Sequence, residues 1–221
     1  MEKILYQFWT GANEMTPNRV NGLKSSAENI RVPCKLVTRD NLADYLLPDH
    51  PLHECYEHLS DTHKADYLRC YFMHFHGGGY ADIKSYGPEN NFDAAFGMLE
   101  SDPGIDIVGE PEIPGGAAFA TYNADRRILG RLVSNGFYVC RKGTEFTSLW
   151  YGKMMRYMDV MRLQLRRHPA TTPVGGAGYP IPWTYLLGVN FHHTCKEVTD
   201  RRPGAVSRAL VSGWRRDVPY R

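Results

Sequence analysis

Asp61-Thr62-His63-Lys64-Ala65-Asp66-Tyr67-Leu68-Arg69 leads, seven residues on, into Gly77-Gly78-Gly79-Tyr80-Ala81-Asp82-Ile83-Lys84. Ala65, Leu68, Phe72 and Phe75 recur at i, i+3, i+7 and i+10, the core-facing stripe of a helix predicted over 61–76, with Ser60 or Asp61 as its cap. The glycines end that helix, at least one of them in a left-handed C′ position, and residues 80–83 follow as a strand. Upstream, 3–9 reads as a buried strand ending at Thr10-Gly11. Thr16-Pro17 caps a helix over 17–29, 34–38 is a β-branched strand, and 40–47 is a short helix stopped before Pro48. This strand–helix–strand–helix rhythm predicts an α/β fold with a mainly parallel central sheet flanked by helices. Downstream, 105–108 and 136–140 read as strands, 144–167 as a long helix closed by His168-Pro169, and 171–182 as a glycine- and proline-rich loop.

The 221 residues suit one large domain or two small ones, and folding buries roughly 70% of the unfolded surface. With 43% apolar and 23% charged residues the chain is neither disordered nor fibrous. No run approaches the ~20 apolar residues of a membrane span, and the opening residues do not read as a secretion signal. The cysteines (Cys34, Cys55, Cys70, Cys140, Cys195) are odd in number and lack a C-x-x-C pair, which fits reduced thiols and a cytoplasmic location. Residues 1–150 carry 14 Lys/Arg against 20 Asp/Glu, whereas 151–221 carry 12 against 4. An acidic body with a basic C-terminal third suits a polyanionic ligand, an anionic surface or contact between the two parts. The basic residues match no helix-turn-helix or finger spacing and lack interleaved aromatics, so nucleic acid is not expected as a partner.

Asp66 and Arg69, at i and i+3, project from one helix face, and the glycines bring Asp82 of the following strand close to them. A guanidinium suits phosphates, and carboxylates at strand ends suit polyhydroxyl ligands, so the trio reads either as a sugar or nucleotide site or as an ion-pair network.

Taken with Ile4-Leu5-Tyr6-Gln7-Phe8-Trp9-Thr10-Gly11, Ser134-Asn135-Gly136-Phe137 and Ser212-Gly213-Trp214, these motifs resemble, in order, those of the GT-A glycosyltransferases with a DXD sugar-binding region. That family includes yeast mannosyltransferases, capsular polysaccharide enzymes and clostridial glucosylating toxins. The resemblance implies a Rossmann-like GT-A domain over 1–221, with residues 1–110 holding the nucleotide sugar and 111–221 holding the acceptor and a closing segment. It implies transfer, with retention, of a hexose or deoxyhexose from a nucleotide sugar, UDP foremost, to a glycan or lipid-linked acceptor in polysaccharide or glycoprotein glycan synthesis. The alternative is a nucleotide-sugar-binding module of a larger protein.

By the same resemblance Trp9, with Gln7 and Thr10, holds the base, unless Trp9 is a core tryptophan. Asp66 accepts from the donor sugar, Arg69 meets sugar or diphosphate, and Asp82 contacts ribose, sugar or a metal. Ser212 and Trp214 donate to the diphosphate or form a packed turn, and Asn135 faces the acceptor or makes a turn with Gly136. Lys84 stands where the family has its second acid. That substitution weakens the expectation of Mn2+ or Mg2+, since fewer carboxylates bind these ions less well, and an ammonium supplies charge to the leaving diphosphate instead. His192 or His193, read as neighbours on a strand, are candidates for a late metal ligand, of which only one can serve. The basic residues Arg201, Arg202, Arg208, Arg215, Arg216 and Arg221 either close over the diphosphate or form a solvated surface.

Overall fold

The computed structural model describes residues 1–113 and 126–220, so Arg221 and part of the expected acceptor half lie outside the described residues. The chain begins with β1 (Leu5–Trp9), α1 (Pro17–Asn29) and β2 (Cys34–Thr38), in which β1 and β2 pair in parallel. Thr16 caps α1 by accepting from the Arg19 amide, with Pro17 at the first helical position. The expected 40–47 helix is a single 3-10 turn over Leu42–Tyr45. Next comes α2 (Asp61–Phe75), capped by the Ser60 hydroxyl on the His63 amide. The strand after it, β3 (Gly78–Ala81), starts inside the glycine run and ends before Asp82, so Asp82 lies beyond the strand end rather than within it. Gly77 and Gly78 have φ of 72° and 92°, which lets the backbone reverse from helix into strand.

The remaining elements are α3 (Phe92–Ser101), β4 (Ile107–Pro111), α4 (Arg126–Leu129), β5 (Val133–Cys140), α5 (Glu145–Arg167), a π-helical turn (Tyr185–Val189), α6 (Asn190–Arg201) and β6 (Val206–Ser207). The sheet order is β2-β1-β3-β5-β4-β6. β5 runs antiparallel to both β3 and β4, and the other pairings are parallel, so the sheet is mixed rather than uniformly parallel. An antiparallel insertion is set by long-range register, which local sequence pattern does not carry.

Helices cover both faces. Tyr6, Phe8, Tyr80 and Tyr138 pack with Tyr67, Phe72, Trp150 and Phe191 of α2, α5 and α6. On the opposite face Leu5, Ala81, Phe137 and Val139 pack with Phe92, Phe96 and Leu99 of α3. The period-2 alternation of β1 thus feeds two cores, and the polar Gln7 faces the buried Ser26 hydroxyl of α1 at 3.0 Å. The chain between β1 and β2 leaves on one side of β1, while β3 lies on the other. The switch point of an open α/β sheet, beyond the C-terminal strand ends, therefore lies between Trp9 and Asp82.

Candidate active site

Two adjoining cavities of about 520 and 490 Å³ open at that switch point, and Arg69, Asp82 and Trp183 belong to the walls of both. Trp9 and Thr10 line the smaller one; Asp66, Lys84, Asn135 and Trp214 line the larger. The helix–glycine–strand segment thus delivers Asp66, Arg69 and Asp82 to one cleft.

Arg69 lies between the two acids. Its Nη2 is 3.3 Å from Asp82 Oδ1 and its Nη1 is 3.9 Å from Asp66 Oδ1. Nη1 also donates to the Asn135 carbonyl at 3.3 Å, and the guanidinium lies 4.0 Å over the Tyr80 ring. The Tyr80 hydroxyl donates to Asp82 Oδ1 at 2.6 Å, while Lys84 Nζ sits 2.7 Å from Oδ2. The Asp82 carbonyl is held by Gln7 Nε2 at 3.4 Å and by the Tyr86 hydroxyl. Lys84 is buried rather than solvent-facing, with its ammonium 3.7 Å from the Trp214 ring centre and 4.8 Å from that of Tyr220.

These surroundings drive the two acids apart. Burial raises Asp66 to about 7, because Arg69 only partly offsets the lost solvation and Asp82 adds repulsion. Burial would also raise Asp82, but Lys84 and Arg69 outweigh it and hold that carboxyl down at about 2. Near neutrality the site therefore contains one carboxyl able both to donate and to accept, beside one that only accepts.

Several expected residues sit differently from the sequence reading. Gln7 is buried under the cleft and lines neither cavity; it braces the Asp82 backbone instead of reaching a base. Ser212 is fully buried, its hydroxyl donating to Glu110 Oε1 at 2.8 Å, so Trp214 alone of that motif reaches the cavity, with a buried indole N–H that lacks a partner among the described residues. Asn135 lies inside β5 rather than in a turn, and it lines the larger cavity together with its neighbours Ser134 and Gly136. His192 and His193 are on a helix, not a strand. His192 is buried beside Glu112, its Nε2 3.1 Å from Oε2, while His193 is exposed. Trp9 donates its indole N–H to the Asn13 carbonyl at 2.9 Å and is half-buried, not a core residue.

At Asp82 the surroundings leave no carboxylate oxygen unengaged. Oδ2 is met by an ammonium at 2.7 Å, and His192 is turned to Glu112. No cluster of three His, Cys, Asp or Glu side chains able to share a metal occurs among the described residues. Of the basic C-terminal residues, Arg216 lines the larger cavity at 4.5 Å from the Trp214 ring, whereas Arg201, Arg202 and Arg215 pair with acids elsewhere.

Sequence reading missed Glu110, Glu112 and Trp183, all on the cavity walls. The acids alternate with period 2 after Ile107-Val108, a signal of one strand face that was available. Trp183 stands in a loop with no periodicity to mark it. No helix among the described residues is long and apolar enough to cross a membrane. No protein-family model, curated protein or solved structure matches the chain.

Proposed function

We propose that the chain is a glycosyltransferase of the GT-A kind, moving a hexose or deoxyhexose from a nucleoside-diphosphate sugar to an acceptor hydroxyl on a glycan or lipid-linked glycan. The observation that carries this reading is the bracketing of Arg69 by Asp66 and Asp82 at the sheet's switch point, with Trp9 in the adjoining lobe. In this reading the exposed part of the Trp9 ring stacks on the base, UDP being the carrier that the family resemblance favours. Arg69, Lys84 and Arg216 face the diphosphate, and Asp66 and Asp82 receive the donor sugar's hydroxyls.

As the anomeric C–O bond to phosphate lengthens, negative charge builds on the departing diphosphate. The Lys84 ammonium and the unpartnered Trp214 N–H are preorganised to stabilise it without reorganisation. Asp82 is locked in ion pairs and Asp66 is half-protonated near pH 7, so neither is a free nucleophile of the glycosidase type. Front-face transfer with retention, the acceptor proton passing to the leaving diphosphate, is what the family analogy implies.

A second reading, a nucleotide-sugar-binding module without turnover, is favoured by the saturation of Asp82 by Tyr80, Arg69 and Lys84. Thermal melting with UDP, GDP, CDP and dTDP, with and without Mn2+, tests both, since a bound ligand stabilises by mass action. Stabilisation by one nucleotide together with hydrolysis of its sugar conjugate supports the transferase. Stabilisation without hydrolysis supports the module, and no stabilisation by any of the four overturns both.

A further inference from the structure

Glu112 follows β4, and its backbone amide donates to the Leu132 carbonyl at 3.1 Å. Its side chain is 3% exposed, yet it lines the larger cavity. Oε1 accepts from the Ile113 amide at 3.1 Å. Oε2 lies 3.1 Å from His192 Nε2 but off the direction of a hydrogen bond, so this oxygen has no hydrogen-bond partner among the described residues. A buried carboxylate oxygen without a donor is costly, and such groups are ordinarily satisfied by a ligand or water. The residue lines the cavity while Oε2 itself is closed off against His192, so a hydroxyl supplies the missing donor once the Glu112 carboxyl turns toward the lumen.

A second observation belongs to the same cavity. Trp183 is 52% exposed at its mouth, unusual for so large an apolar ring. The loop carrying it is fixed rather than loose. The Thr62 amide donates to the Pro173 carbonyl at 3.2 Å, His63 Nδ1 meets the Tyr179 hydroxyl at 2.8 Å, and His63 Nε2 meets the Trp183 carbonyl at 3.3 Å. An indole on such a loop offers a negative ring face to the partially positive C–H bonds on the apolar side of a pyranose.

We infer that the Glu112–Trp183 side of this lobe is the acceptor subsite and that it takes a neutral pyranoside, one hydroxyl donating to Glu112 Oε2 and one sugar face lying on Trp183. The inference rests on the glycosyltransferase reading and names its acceptor class. His192 is a positioning residue behind Glu112. The carboxyl groups of Asp66, Glu110 and Glu112 in the lobe disfavour an anionic acceptor, because Arg69 and Lys84 are committed to Asp82 and, with Arg216, to the diphosphate.

The test measures the ratio of transfer to hydrolysis, which does not depend on the folded fraction. Donors are UDP-glucose, UDP-galactose and GDP-mannose. Acceptors are the methyl glycosides of glucose, galactose and mannose, with methyl glucuronide as the anionic arm. Glu112→Gln and Trp183→Ala each lower the ratio at least ~10-fold, Trp183→Ala through a raised acceptor KM that Trp183→Tyr partly restores. An unchanged ratio in both variants, a preference for the glucuronide, or hydrolysis without transfer to any neutral glycoside overturns the subsite alone. A wild-type protein that hydrolyses none of the donors overturns the transferase reading and the subsite with it.

Discussion

The ammonium of Lys84 touches Oδ2 of Asp82 at 2.7 Å and is closed from the other side by the Trp214 ring at 3.7 Å. A fixed cation thus occupies the position that the family resemblance gives to a metal-binding acid. Chelator in excess is therefore expected to leave nucleotide-sugar hydrolysis within about twofold, while Lys84→Ala lowers kcat on the order of 100-fold or more. Activity abolished by chelator, with Lys84→Ala at the wild-type rate, reverses this assignment.

Asp66 links the site to stability. Its carboxyl holds a proton up to about 7 in the folded chain, against 3.8 for the ordinary group, so the folded state binds more protons than the unfolded between those values. Stability contributed by the protonated form is complete below about pH 4, declines as pH rises, and is gone above about pH 7. The size is on the order of 4 kcal/mol. Asp82 acts in the opposite sense, its contribution present above the ordinary carboxyl range and lost as pH falls through about 2. Urea unfolding between pH 5 and 8 is expected to show a falling stability in the wild type and a flattened profile in Asp66→Asn.

Trp9 is tested through the nucleotide. A base stacked on an aromatic ring contributes about 1–3 kcal/mol, so Trp9→Ala is expected to weaken UDP binding roughly 5- to 150-fold, and Trp9→Phe much less. Calorimetric titration with UDP measures this directly. Equal affinity in wild type and Trp9→Ala would remove the indole from the nucleoside lobe.

Two glycines are expected to respond with opposite sign. Gly78 has φ of 92°, and a Cβ there would stand 2.8 Å from the Ile4 carbonyl, so Gly78→Ala costs about 1–3 kcal/mol. Gly97, inside α3, has nothing within 4 Å of its would-be Cβ, and Gly97→Ala stabilises by about 0.5–1 kcal/mol. Paired denaturation curves decide both.

Much of the N-terminal half was legible because its signals are local. Thr16-Pro17 opens α1, Ser60 caps α2, and Gly77-Gly78 turns the chain toward Asp82. α6 was misread as strand around His192-His193, although Phe191, Cys195 and Val198 recur at i, i+4 and i+7 and are all buried. The antiparallel course of β5 could not be read, since pairing Tyr80 with Tyr138 is a choice made across 57 intervening residues. The same holds within the cleft. Asp66 and Arg69 share a helix face and announced themselves, whereas the burial of Ser212 against Glu110 and the meeting of His192 with Glu112 exist only once distant elements pack.

Because Arg69 and Asp82 form part of both cavities, the lobes are not separate compartments. Whatever settles first on that guanidinium changes the charge met by the second arrival, and by thermodynamic reciprocity the second repays the first by the same factor. On the transferase reading such a shared floor ties the two substrates' affinities together, so that neither half of the cleft is tuned without retuning its neighbour.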